Sequence, residues 1–346
     1  MRIHGGDVTE KKVIYDFSAN LNPLGMPEQV IAAAYAAVSE CTRYPDPECR
    51  KLRKKLSVYE NIPYENIVCG NGAADLIFRI VHAFRPEKAV LCIPSFSEYR
   101  YALEEVNCQI TEYITEASDD FAVNEWILDF LTDDVDIIFL CTPNNPTGKL
   151  ISPDLLRKIS EKCLEKNIIL ICDECFMPFT GASDEYSLRS CLNENCIVLK
   201  AFTKLFAMPG LRLGYALCGS AEAAARIHNS GQFWSVSVPA EEAGVAALDV
   251  KDWKEKTVAF ITKEREYLTE KLCGCGLEVT GSSANFLLFR SRDDLGKLLL
   301  EKGIMIRECT DFCGLGKGYF RTAVRTRKEN EILVEGIKEV LSWPDL

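Results

Sequence analysis

The sequence predicts an α/β fold: a mainly parallel sheet covered by helices on both faces, with a smaller α+β unit attached. Three observations carry this. Short, nearly continuous apolar runs (88–93, 136–141, 167–172 and 196–200) are bounded by turn residues, as strands buried on both faces are. Stretches of helical composition separate them, which is how parallel strands are connected. A chain of 346 residues is long enough for a large domain and a satellite.

In chain order, Val13–Phe17 reads as a short strand and residues 18–25 (Ser-Ala-Asn-Leu-Asn-Pro-Leu-Gly) as a polar, Gly/Pro-punctuated loop. Pro27–Val38 has helical composition. Arg43–Pro47 is extended, because its two prolines restrict the residues before them. Cys49–Tyr59 is helical, with Leu52 and Leu56 on one face. Asn66–Cys69 is a strand that leads through Gly70-Asn71-Gly72 into an apolar helix, Ala73–Phe84. Strand 88–93, helix 99–106 and strands 109–114 and 136–141 follow. Ser152 as N-cap and Pro153 in the first turn open a helix to Lys166. Strands 167–172, 196–200 and 213–218 complete the sheet. Beyond Ser237-Val238-Pro239-Ala240 the text turns helical, with a long helix at 252–273. The remainder alternates strand 284–290, helix 295–302, strand 304–307, strand 319–325 and a last helix 328–341. We place a large domain at 36–250 and a small domain at 1–35 and 251–346, formed by both termini.

Composition narrows the function. A hydrophobic fraction of 47% and a charged fraction of 26% are ordinary for a globular protein, and a net charge of −11 without a basic block argues against nucleic-acid binding. No charged-then-apolar start resembles a signal peptide and no apolar run spans a bilayer, so we expect a cytoplasmic protein without membrane contact. The 16 cysteines are scattered through apolar runs and read as small buried hydrophobes rather than a disulfide framework. Cys172-Asp-Glu-Cys175 and Cys273-Gly-Cys275 lack the second paired motif a zinc site needs, and there are only 3 histidines. We expect no metal.

The chemistry gathers around residues 200–215, Lys-Ala-Phe-Thr-Lys-Leu-Phe-Ala-Met-Pro-Gly-Leu-Arg-Leu-Gly-Tyr. A strand delivers Lys204 into a short loop, and Arg212 follows eight residues later. A lysine beside a second cation suits a Schiff base to a phosphorylated aldehyde, since the arginine lowers the lysine's pKa and can grip a phosphate. In an open α/β sheet ligands gather at the carboxyl ends of strands, where further polar clusters lie. Gly72-Ala73-Ala74 opens a helix and reads as a phosphate site or as a plain glycine turn. Phe96 follows a strand and reads as a stacking partner for a flat pyridine ring or as a core residue. Asn145, in Asn144-Asn145-Pro146-Thr147-Gly148, reads as a donor to the ring's phenolic oxygen or as part of a β-turn. Asp173 ends a strand and reads as the partner of a protonated ring nitrogen or as a cap.

The order and spacing of these parts (aromatic, NNPTG, DE and T-K-x7-R) resembles the fold type I, pyridoxal 5'-phosphate-dependent class I/II aminotransferase family over nearly the whole chain. The resemblance implies that pyridoxal 5'-phosphate is the cofactor and that Lys204 is its Schiff-base lysine and the proton carrier. Arg212, Ala73, Ala74 and Tyr44 become contacts of the cofactor phosphate, and Gly72, Thr203, Phe96, Asn145 and Asp173 complete the cofactor set. In this family the Tyr44 equivalent comes from the neighbouring subunit, which implies a homodimer with shared active sites. Two positions depart from the pattern: Ala201 stands where a hydroxyl often meets the phosphate, and Phe176 where a tyrosine often meets the phenolic oxygen.

Within the family the chain resembles the histidinol-phosphate aminotransferases and, more narrowly, the threonine-phosphate decarboxylases of cobalamin biosynthesis. The pointers are His4-Gly5-Gly6-Asp7, residues 16–25, Tyr44-Pro45-Asp46-Pro47, residues 94–100 and residues 320–326, with Phe176 and Arg325. This implies a small phosphorylated amino-acid substrate, decarboxylation of L-threonine O-3-phosphate and (R)-1-amino-2-propanol O-2-phosphate as product. Such a substrate needs two anion grips. Candidates are His4, Asn20, Arg307, Arg321 and Arg325, with Arg321 on the carboxylate and Arg307 with His4 on the phosphate; Lys317 reads as a surface charge. The alternative is a histidinol-phosphate-type aminotransferase using 2-oxoglutarate and glutamate. A non-enzymatic regulator on the same fold is disfavoured by the retained Lys204, Asp173, Arg212 and Asn145 and by the acidic charge.

Overall fold

The computed structural model describes residues 4–9 and 11–342; the other positions of the expected small domain, 1–3, 10 and 343–346, lie outside the described residues. Strand β1 (Tyr15–Asp16) and helices α1 (Glu28–Ala37) and α2 (Arg50–Glu60) come first. A seven-stranded sheet follows, built from β2 (Ile67–Gly70), β3 (Lys88–Ile93), β4 (Gln109–Ile114), β5 (Ile137–Cys141), β6 (Ile169–Asp173), β7 (Cys196–Ala201) and β8 (Gly214–Cys218). Between these strands lie α3 (Ala73–Phe84), α4 (Glu98–Glu105), α5 (Pro153–Glu165) and the one-turn helices α6 (Ser183–Tyr186) and α7 (Phe202–Leu205). Helices α8 (Ala221–Asn229), α9 (Val238–Ala247) and α10 (Trp253–Gly274) lead to the last part. There, β9 (Glu278–Val279), β10 (Phe286–Arg290), α11 (Leu295–Glu301), β11 (Ile304–Met305), β12 (Arg307–Glu308), β13 (Tyr319–Ala323) and α12 (Arg327–Leu341) follow in turn.

The large sheet runs β2-β8-β7-β6-β5-β3-β4. Strands β3 to β7 run parallel to one another, as the apolar runs foretell, but β8 is antiparallel to both β7 and β2. The reason is the connection: segment 202–213 holds only the single turn α7 and a 3-10 turn, with no crossover helix to carry the chain back to the other end. Lys204, leaving β7, and Arg212, entering β8, are therefore kept at the same end of the sheet.

Side chains alternate across each strand, so one apolar run feeds two cores. Ile171, Leu199 and Ala216 pack with Leu76, Ile80, Leu103 and Ile227 of α3, α4 and α8. Their neighbours Cys172, Val198 and Leu217 pack with Leu52, Leu56, Ile159 and Ala243 of α2, α5 and α9. A third core joins α10, α11 and α12 to β10 and β13 through Ile261, Leu268, Phe286, Phe320, Leu333 and Ile337. All 16 cysteines are free and 11 are buried, seven of them within these strands and helices. No helix among the described residues is long and apolar enough to cross a membrane.

Local signals mostly do what they promise. The Ser152 hydroxyl accepts from the Leu155 N–H (3.3 Å) with Pro153 in the first turn of α5. The expected strand 304–307 is split: β11 pairs with β1 in parallel, while β12 pairs with β13, so one stretch serves two sheets. Helix α8, which sequence reading passes over, is capped by Ser220, whose hydroxyl accepts from the Ala223 N–H (3.2 Å).

Candidate active site

Strands β6 and β7 end side by side, and their last residues set the site. Asp173, 5% exposed, closes β6. At Ala201 β7 hands on to α7, which carries Thr203 and Lys204. A single turn cannot hold itself, and it is fixed from outside. The Asn22 N–H donates to the Lys204 carbonyl (3.1 Å), while the Asn22 amide (2.8 Å) and the Trp253 indole (3.0 Å) both donate to the Leu205 carbonyl. Burial, then the charge of Arg321, with Arg212 adding a smaller push, hold the Lys204 amine down to a pKa of about 8. Roughly a tenth of it is then neutral at pH 7, far more than for an ordinary lysine.

Arg212 has a left-handed backbone (φ 57°) and donates Nη1 to the Pro209 carbonyl at 3.2 Å. Its guanidinium lies against the start of α3: a Cβ on Gly72 would sit 2.6 Å from Arg212 Nη2, and one on Gly214 would sit 2.6 Å from the Ala73 nitrogen. Glycine at both positions is what lets the two come together. The first N–H groups of α3, at Ala73 and Ala74, have no acceptor within the helix. A guanidinium and a helix N-terminus thus converge on one point, which is an anion cradle.

Both oxygens of Asp173 are already oriented. The Tyr99 hydroxyl donates to Oδ2 (2.7 Å) and the Cys175 N–H to Oδ1 (2.9 Å). Each oxygen keeps a second lone pair for a further donor. Burial, with the Asp173 charge next, pushes the Tyr99 phenol well up, so it remains a donor. Phe96 lies edge-on to Tyr99 at 5.7 Å.

Arg321, 6% exposed, donates Nη1 to Asn145 Oδ1 and Nη2 to the Ser18 carbonyl (2.9 Å). Its Nε and the Oδ1 of buried Asn20 have no hydrogen-bond partner among the described residues. Burial pulls Arg321 down to about 10. Across the β12–β13 ladder Arg307 stands directly opposite Arg321. Arg307, equally buried, pairs with Asp311 at 2.7 Å. His4 Nε2 lies 2.8 Å from Glu98 Oε1, with its ring 5.8 Å from that of Phe96. Lys204 Nζ is 5.5 Å from the centre of the Phe176 ring, which closes an apolar wall against Phe286.

Thr203 is buried within α7. Two expected residues have their contacts elsewhere. Tyr44 is 77% exposed and stacks on Trp234 at 4.3 Å. Arg325 gives its guanidinium to Glu329 (2.6 Å) beside the capping box that opens α12. Tyr99, Ser18 and Asn22 are members of the network that sequence reading did not single out. A buried tyrosine needs a hydrogen-bond partner, but no local pattern says which.

Together these groups have the chemistry to hold pyridoxal 5'-phosphate: a cradle for its phosphate, a carboxylate for its ring nitrogen, an amide at Asn145 and an amine of lowered pKa. The unpartnered Arg321 Nε and Asn20 Oδ1 fit a site built for a further polar ligand.

The aminotransferase class I and II family model matches residues 12–337. The chain is 36% identical to a threonine-phosphate decarboxylase of Salmonella typhimurium, over 98% of this chain and 96% of that one. It is 34% identical to histidinol-phosphate aminotransferase 2 of Archaeoglobus fulgidus, over 96% and 95% of the two chains. The solved histidinol-phosphate aminotransferase of Clostridium acetobutylicum superposes with a TM-score of 0.88 at 30% identity, covering 94% of this chain and 99% of that one.

Proposed function

The chain belongs to the aminotransferase class I and II family, a family of fold type I enzymes, and we propose that it decarboxylates L-threonine O-3-phosphate to (R)-1-amino-2-propanol O-2-phosphate. The observation that carries this reading is the Arg307–Arg321 rung. Like charges directly opposed across a ladder are unfavourable; Asp311 answers Arg307, whereas Arg321 is bonded, among the described residues, only to the neutral oxygens of Asn145 and Ser18. A substrate carboxylate supplies the anion that Arg321 lacks, and a phosphate on the same substrate suits Arg307 beside it.

Bound pyridoxal 5'-phosphate supplies an aldehyde for the substrate amine and a ring that takes up the electron pair released at Cα. Gly72, Ala73, Ala74, Thr203 and Arg212 would hold its phosphate. Asp173 would keep the ring nitrogen protonated, Asn145 would offer its amide to the phenolic oxygen while its own oxygen anchors Arg321, and Phe96 would pack against the ring. Arg321 grips the substrate carboxylate, and Arg307 with His4 and the Asn20 amide receive the phosphate. Arg325 joins them only by releasing Glu329. By fixing the carboxylate, Arg321 would orient the substrate so that the bond from Cα to the carboxylate is the one that breaks. Lys204, with its lowered pKa, delivers the proton to Cα after carbon dioxide leaves. Phe176 offers the phenolic oxygen no hydroxyl, which leaves the Asn145 amide to hold it.

Tyr44, exposed beside Trp234 and Phe233, supports a homodimer in which it completes the partner's phosphate cradle. We take 36–250 as the large domain, 1–35 with 251–346 as the small one, and the cytoplasm as the compartment. The second reading, histidinol-phosphate transamination, is favoured by the similarity to enzymes of that name. Two parallel reactions decide. Cofactor-loaded protein is given O-phospho-L-threonine and assayed for carbon dioxide and aminopropanol phosphate. It is also given histidinol phosphate with 2-oxoglutarate and assayed for glutamate. Activity in the second alone would overturn the decarboxylase reading.

A further inference from the structure

Lys204 Nζ faces Phe176 and the arginines, but the turn that carries it has another side. There, Phe202, Leu205 and Phe206 wall a second cavity of about 340 Å³, and Lys204 is not among its lining residues. The end of α2, the segment after β6 and the first turn of α10 complete it. A volume in this range is that of a small-molecule site. We propose that this cavity binds a small organic cation, an alkylammonium ion with an apolar body, and that its occupancy is transmitted to Lys204 through the α7 turn.

The sign of the ligand follows from the charges. Five carboxylates line the cavity (Glu60, Glu174, Asp184, Asp252, Glu255) against three cations (Arg189, Lys200, Lys254). The two deepest carboxylates are not equivalent. Glu60, 2% exposed, is fully matched: Lys200 (2.8 Å), Arg189 (3.3 Å) and the Tyr215 hydroxyl (2.5 Å) all reach it. Glu174 is completely buried and is held by neutral donors, the Ser187 hydroxyl and the Leu188 N–H, both at 2.7 Å. Burial pushes its pKa up to about 7, against the opposing charge of Lys200, which is itself hydrogen-bonded to Glu60. A buried carboxylate whose hydrogen bonds come only from dipoles, and whose neighbouring cation is engaged by another carboxylate, gains from an arriving positive charge.

The body of the ligand follows from the walls. Among the described residues no group of three or more His, Cys, Asp or Glu side chains is placed to hold a metal ion. Met177, Leu205, Phe206, Val250 and Trp253 instead present carbon, sulfur and ring faces. Such a lining suits an apolar chain that ends in an ammonium group.

Transmission runs through Leu205. Its side chain walls the cavity, and its carbonyl receives the indole N–H of Trp253, another lining residue, at 3.0 Å. A ligand lodged against Trp253 and the Leu205 side chain therefore bears on the turn that also carries the reactive lysine, one residue before Leu205. No substrate of the proposed reaction enters this argument, so its outcome is independent of that reading.

The test uses cofactor-loaded protein at about pH 8.5, above the Glu174 midpoint. The probe is N,N-dimethylbutylammonium, a tertiary amine that cannot condense with an aldehyde. Binding is followed by calorimetry, and the state of Lys204 by the pH midpoint of the cofactor's visible absorbance. We expect one saturable site, at least tenfold weaker binding of the neutral isostere N,N-dimethylbutanamide, and a shift of the absorbance midpoint on saturation. In Glu174→Gln the amide oxygen keeps the Leu188 N–H bond and the amide N–H donates to a reoriented Ser187 hydroxyl; without the charge the cation should bind at least tenfold more weakly, and Val250→Trp should fill the cavity and abolish binding. Circular dichroism and thermal melting verify the fold, and if Val250→Trp does not fold, Glu174→Gln decides. Failure of the probe to bind, equal binding of the amide, or unchanged binding by the folded variants would each overturn the site. Saturation without an absorbance shift would overturn the transmission.

Discussion

Gly72→Ala separates the two things that residue does. Gly72 sits at φ 86°, ψ 165°, a region in practice reserved for glycine, so alanine there costs about 1–3 kcal/mol. This penalty falls on the folded chain with or without cofactor. The second effect comes from the new methyl, which would lie 2.6 Å from Arg212 Nη2. That atom ends a flexible, exposed side chain, so the guanidinium will swing aside rather than the backbone yield. Swinging aside removes a charge-assisted hydrogen bond to the cofactor phosphate, about 1.5–3 kcal/mol, or roughly 10- to 100-fold in affinity. Urea unfolding of the cofactor-free protein reads the first effect, and absorbance titration with pyridoxal 5'-phosphate reads the second. Stability lowered by about 1–3 kcal/mol with the dissociation constant unchanged would refute the assignment of the Gly72–Arg212 cradle to the phosphate.

Three further outcomes are expected. In cofactor-free protein, reductive methylation of Lys204 followed by peptide mass mapping should reach half its limiting rate near pH 8, because the folded chain disfavours the ammonium form. Arg321→Gln removes an opposing positive charge and should move that midpoint upward; a midpoint at the ordinary lysine value in the parent would contradict the described burial. Lys200→Met takes the nearest cation from buried Glu60, leaving Arg189 and Tyr215, and should cost about 3 kcal/mol in urea unfolding. Adding Glu60→Gln to Lys200→Met should restore most of that loss. Finally, inactive Lys204→Ala and impaired Tyr44→Ala proteins, unfolded and refolded together, should regain up to about a quarter of parental activity, since half the dimers are mixed and each has one intact site. No recovery above the separate variants would mean that Tyr44 does not serve a partner's site.

What could be read in the sequence is what strand ends make visible. An apolar run that switches abruptly to a polar residue marks the carboxyl end of a buried strand; Asp173 announces itself in this way, and Asn145 and Lys204 lie in the short segments that follow such strands. Gly72 is legible for a related reason, since a glycine pair between a strand and a helix implies an unusual turn. Contacts that use the backbone leave no such trace. Ser18 serves through its carbonyl, and Asn22 through its N–H as well as its amide. The antiparallel entry of β8 depends on the shortness of α7, and the opposition of Arg307 and Arg321 depends on the register between two strands that any longer linker could have changed. Arg325 was legible as a cation, but its commitment to Glu329 is a matter of helix capping four residues on.

The clasp between the chain's ends has a consequence for when the enzyme comes into being. Arg321 reaches the Ser18 carbonyl across 303 residues, the Ala323 N–H donates to the Phe17 carbonyl (2.8 Å), and the Asn285 amide reaches the Leu21 carbonyl (3.3 Å). During synthesis the strands up to β8 can emerge and pair while the partners of residues 17–21 are still inside the ribosome. Asn22, which pins the Lys204 turn, belongs to that waiting segment. The reactive amine is thus expected to lack a firmly held anchor until β13 has been made, so that a nascent chain would expose a folded sheet before it presents a competent lysine. Capture of the cofactor would then be a late event, tied to completion of the polypeptide rather than to the appearance of the residues that touch it.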